Sequence, residues 1–103
     1  MIAEFSILPV GKGESLSAAV ARIIALVERS GLDYQLTAMG TLVEGEPKKV
    51  WRLLERCHQA GRKESRRILT AIRIDDRAGA RNRLFGKVLS VEKKLGRKAS
   101  RRA

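Results

Sequence analysis

The stretch DYQLTAMGTLVEG, Asp33 to Gly45, decides the fold. Apolar and polar residues alternate through it, with Tyr34, Leu36 and Ala38 on one side and Gln35, Thr37 and Met39 on the other. A period of two is the mark of a half-buried strand. Gly40 interrupts the alternation and TLVEG resumes it, which predicts a hairpin or a bulged, bent ribbon rather than one long strand.

The flanking segments read outward from this hairpin. Upstream, Ile2–Pro9 also alternates, with Ala3, Phe5 and Ile7 opposed to Glu4, Ser6 and Leu8. Pro9, Gly11 and Gly13 break that strand. Ser15 or Ser17 can then cap a helix whose apolar positions Leu16, Val20, Ile23, Ile24 and Val27 recur at helical spacing as far as Gly31. Downstream, Pro47 suits the first turn of a second helix, with Val50, Leu53, Leu54 and Cys57 as its apolar stripe and Gly61 near its end. RRILTAIRIDD, from Arg66, reads as a last strand whose chemistry changes at Asp75. A loop follows, then an amphipathic helix carrying Leu84, Phe85, Val88, Val91 and Leu95.

The order β-α-β-β-α-β-α predicts an α+β, ferredoxin-like split βαβ sandwich. It has an antiparallel four-stranded sheet, two helices on one face and a C-terminal helix in addition. Residues 1–96 form the domain and 97–103 a basic tail, read as a solvated and dispensable extension. The second sheet face is left open. Leu8, Met39 and one alternate set of the last strand (Ile68, Ile72, Ile74 or Leu69, Ala71) make it partly apolar, so another subunit, the final helix or a ligand is expected to meet it.

Composition narrows the function classes. The chain has 103 residues, enough for one modest core. No apolar run is long enough to span a bilayer, and MIAEFSILPV lacks the basic region and cleavage site of a signal peptide. A lone Cys57 excludes an internal disulfide and a cysteine metal cluster, and fits a reducing cytoplasm. The net charge of +11 points first to nucleic acid, but its distribution weakens that reading: Arg81 to Ala103 holds nine basic residues and one acid, Glu92. Sheets of this kind bind RNA by stacking bases on strand aromatics, and the last strand has none, so nucleic acid is not expected as a partner.

Glu4, Ser6, Gln35, Thr37, Glu44 and Thr70 are the polar groups that strand alternation can gather on the open face, over an apolar floor. The plainer alternative leaves each one solvated at a strand edge. Asp75 and Asp76 admit three readings: a divalent metal, for which two carboxylates are a weak signal; a loop cap, with Asp76 on Arg77 or a backbone N–H; or the partner of a cationic ligand. Arg73 shares the side of Asp75 and is placed to pair with it. Cys57 and His58 are helix neighbours whose side chains diverge, so no nucleophile–base pair forms and no enzyme is expected. An acylphosphatase-like hydrolase needs an anion-cradling loop with Arg and Asn, and the single Asn82 lies far along the chain. VGKGES lacks P-loop spacing and reads as a β-to-α turn, with at most weak anion binding at the helix start. Trp51 either packs on a neighbour or anchors a partner.

Three segments, AEFSILPVGKGESLS, YQLTAMGTLVEG and IRIDDR, hold their order and spacing over residues 2–95. Together they resemble the small thiamine-binding protein family, long known as a conserved family of unknown function. The resemblance implies a ferredoxin-like fold assembled through its sheet into dimers and tetramers, with non-catalytic binding of thiamine or a pyrimidine-type relative. A carboxylate of Glu4, Glu44, Asp75 or Asp76 would offset the thiazolium charge. Ser6, Thr37 and Thr41 would bond the pyrimidine edge, and Met39 would touch the ring. No metal or cofactor is expected. The alternatives are a basic nucleic-acid-binding domain, driven by the tail, and a ligand-free structural or regulatory oligomer.

Overall fold

Four strands and three helices follow the expected order: β1 (Ile2–Pro9), α1 (Ser17–Arg29), β2 (Asp33–Thr37), β3 (Gly40–Glu44), α2 (Pro47–Glu64), β4 (Ile68–Asp75) and α3 (Arg83–Leu95). The computed structural model describes residues 1–11 and 17–99. Ser15, Leu16 and most of the glycine-containing loop therefore lie outside the described residues. The strands form one antiparallel sheet in the order β2-β3-β1-β4, an α+β ferredoxin-like arrangement.

The covered face is built by alternation. Ala3, Phe5 and Val43 point from the sheet into a core shared with Ile23 and Val27 of α1 and Val50, Leu53, Leu54 and Cys57 of α2. Burying side chains of this size stabilises by about 1.5–3 kcal/mol each. The α1 stripe departs from expectation: Ala19, Ile23 and Val27 are buried and Val20 is exposed. Gly61 stands on the inner side of α2, where an added Cβ would lie 2.7 Å from Ile7 Cγ2. Its role is close approach of helix to sheet rather than helix termination.

The β2–β3 ribbon turns at Ala38 and Met39, and among the described residues the only non-glycine residue of positive φ is Asn82. The turn therefore lacks the left-handed residues that match hairpin twist. The Thr37 hydroxyl compensates, donating to the Gly40 carbonyl at 2.8 Å and accepting from the N–H groups of Met39 and Gly40. A side chain at Gly40 would sit 3.0 Å from the Phe5 carbonyl, so a glycine lets β3 lie close to β1.

Candidate functional site

The open face is organised by register. Asp33, Glu44, Ile2 and Asp75 lie in one row across the strands, and Gln35, Leu42, Glu4 and Arg73 in the next. Helix α3 lies over this end of the sheet. Its first turn is held from β3: the Glu44 carboxylate accepts from the backbone N–H of Arg83 at 2.8 Å and of Leu84 at 3.0 Å. Asn82, the residue before the helix, is left-handed and makes no side-chain cap. Glu44 thus supplies the cap from a distance, and its negative charge suits the positive end of the helix dipole. At the other end, Gly96 adopts φ 72° and its N–H reaches the Glu92 carbonyl.

Between α3 and the sheet is a cavity of about 660 Å³, a volume suited to a small organic ligand. Ile2 and Leu42 form its floor and Leu84, Val88 and Val91 its roof, with the carboxylates of Glu4 and Asp75 on its wall. Glu4 pairs with Arg73 at 3.1 Å and Asp75 with Lys87 at 3.9 Å. Both pairs are substantially exposed, and such pairs contribute about 0–1 kcal/mol. Either carboxylate can therefore exchange its partner for a cationic ligand at little cost.

The seven residues singled out in the sequence divide sharply. Glu4 and Asp75 line the cavity together. Ser6 is exposed on the same face, beside Ala71. Glu44 is on that face too, but it is buried and both carboxylate oxygens hold α3. The Thr37 hydroxyl is used by the hairpin turn, and Met39 is 85% exposed at its tip. Thr41 belongs to the opposite face: it pairs with Phe5 and is buried on the helix side. Thr70 is likewise turned to the helices, with its hydroxyl 2.7 Å from Nδ1 of His58. The expected Arg73–Asp75 pairing is replaced by Arg73–Glu4, because these two residues are directly opposed in register.

Leu42, Val88 and Val91 were missed as site residues. Leu42 reads simply as part of a short strand, and the valines as a helix stripe. Only the placement of α3 shows that they line one space. Cys57 is fully buried, which pushes its thiol up to about 11, and Trp51 is half-exposed on α2. Among the described residues no group of three His, Cys, Asp or Glu side chains is placed to hold a metal ion. No helix among them is long and apolar enough to cross a membrane.

Sheet, helix pair and the open cavity under α3 define a small ferredoxin-like α+β protein with room for a ligand between its sheet and its third helix. The profile of the family described as thiamine-binding protein matches residues 3–92, and the chain belongs to that family. The UPF0045 protein YqgV of Bacillus subtilis is 38% identical over 100 residues, covering 91% of this chain and 96% of the relative. A hypothetical protein of Methanocaldococcus jannaschii has a solved structure that superposes with a TM-score of 0.81 at 28% identity, over 89% of this chain and 95% of the other. A Thermotoga maritima protein provisionally named for thiamine biosynthesis or salvage shares the fold at a TM-score of 0.77 and 20% identity, over 87% of this chain and 96% of the other.

Proposed function

We propose that this protein binds thiamine or a related pyrimidine-type molecule in the cytoplasm, without catalysis, as a homo-oligomer packed through its sheet. The observation that carries the reading is the cavity under α3, with an apolar floor and roof and two carboxylates on its wall beside the cations Arg73, Arg83 and Lys87. A thiazolium ring needs a paired negative charge and an apolar surround, and Glu4 and Asp75 offer the first while Ile2, Leu42 and Val88 offer the second. Membership in the thiamine-binding family supports the choice of ligand. Arg73, Arg83 and Lys87 also border the cavity, so the phosphate esters of thiamine belong in the same titration.

The absence of catalysis in this reading rests on Cys57 and His58. The thiol sits in the core and stays protonated, while the exposed imidazole bonds Thr70. The oligomer rests on Leu8 and Leu69, which are opposed in register and 45% and 51% exposed on the part of the open face beyond α3. A single, buried cysteine suits a reducing compartment.

Calorimetry with thiamine, its phosphates and hydroxymethylpyrimidine tests the reading. Glu4→Gln and Asp75→Asn keep shape and remove charge. Because both groups are partly solvated, each is expected to weaken thiamine binding by roughly tenfold rather than to abolish it. A wild type that binds none of these ligands at millimolar concentration would overturn the ligand assignment. Equal binding by both variants would move the site off this cavity.

A further inference from the structure

The seam between α1 and α2, on the side of the molecule away from the open sheet face, is electrostatically unequal along its length. At one end Arg22 of α1 pairs with Glu64 of α2 at 2.5 Å. At the other end is a groove of about 360 Å³ whose lining carries Arg29, Lys49, Arg52 and Arg56 and no carboxylate. Lys49, Arg52 and Arg56 fall at i, i+3 and i+7 on α2, which puts them on one helix face, and Arg29 closes the last turn of α1 opposite them. All four are exposed, and among the described residues none forms a salt bridge or side-chain hydrogen bond. Leu26 and Leu53 form an apolar floor beneath them.

Four cations gathered on one groove repel each other, and an anion that bridges them removes that repulsion. Arginine forks recognise phosphate with paired N–H donors, and charge-assisted bonds of this kind are the stronger class. A single phosphate engages one or two such forks, so four cations fit a diphosphate group better. The groove has the volume of a small-molecule site. Its lining lacks an aromatic face on which a nucleic-acid base would stack. We propose that the Arg29–Lys49–Arg52–Arg56 groove is a second binding site, for a small molecule carrying a diphosphate group, separate from the cavity under α3.

The test uses inorganic pyrophosphate as the probe, titrated into the full chain at about 150 mM salt so that diffuse attraction is screened. Calorimetry and the fluorescence of Trp51, the only Trp and the residue before Arg52, provide the readouts. Saturable binding of one pyrophosphate per chain is expected. The R52A/R56A double variant is expected to weaken it by roughly tenfold or more, and R52K/R56K to retain part of it. One control, K93A/K94A in the last turn of α3, removes equal charge elsewhere and should leave pyrophosphate affinity within about twofold of wild type, the scale on which exposed charges act. R73A/K87A, at the cavity under α3, tests whether that cavity takes the anion instead. These side chains are exposed, so an unchanged melting temperature will show that the variants are folded. The proposal is overturned if the wild type shows no saturable binding, if all three alanine variants weaken it equally, or if R73A/K87A alone abolishes it. Tighter binding of a single-stranded oligonucleotide, growing with its length, would also overturn it in favour of a nucleic-acid surface.

Discussion

The two faces of the sheet obey different rules. On the covered face Ala3, Phe5 and Val43 of the central strands meet two helices and are out of water, while Leu36 and Ile72 of the outer strands stay partly exposed. On the open face one helix is held over one end by a carboxylate, with a cavity beneath it, while Leu8 and Leu69 beyond it stay in solvent. The first face is a core and sets stability. The second is incompletely filled, and that leaves space for a ligand or another subunit. The difference shows that one alternating strand can serve packing with its odd residues and line an open cavity with its even ones.

Four measurements can break or sharpen this contrast. Phe5→Ala on the covered face should cost about 3–5 kcal/mol in denaturant unfolding, because the sheet and helices cannot collapse into the lost volume. A cost near 1 kcal/mol would mean the covered face is loosely packed. The next effect is one of pH. Below pH 9.0 the Cys57 thiol is protonated in both states. Between there and about 11 the unfolded chain loses the proton first, so stability falls as pH rises and the contribution is gone above that window. The loss amounts to about 2–3 kcal/mol, and Cys57→Ala should lack it. Parallel pH curves for the two proteins would refute the assignment.

On the open face the effects should be smaller and more local. Glu44→Gln removes the charge that caps α3 and should cost about 1–2 kcal/mol. Hydrogen exchange should quicken in residues 83–95 while β1 stays protected; an equal rise in β1 would show that α3 unfolds with the core. Leu69→Lys should change unfolding by less than about 0.5 kcal/mol, since the side chain is already half in water. It should nevertheless shift sedimentation toward the monomer, and an unchanged sedimentation profile would move the subunit interface elsewhere.

Much of the fold was readable because local periodicity and backbone chemistry agree. The β1 and β4 alternations, Pro47 at the start of α2 and the Val50–Cys57 stripe all appear where the spacing puts them. The α1 stripe was misjudged because Ala19 is small and Val20 large, and side-chain size says little about which way a helix is rotated. The site was read less well. Glu4 and Asp75 border one cavity, but Thr41, expected on the open face, is turned to the helices. Gly40 begins a new strand after the turn, so alternation cannot be counted through it.

The sequence by itself determined the order of elements, the two faces of β1 and the presence of carboxylates at the end of β4. Those follow from interactions between residues a few positions apart. Only the tertiary structure decided that Glu44 caps a helix 39 residues away instead of facing a ligand. It also decided that Glu4 pairs with Arg73 and that α3 roofs a cavity over Ile2 and Leu42. Each of these depends on the strand register and on where the last helix comes to rest, and neither is encoded in local spacing.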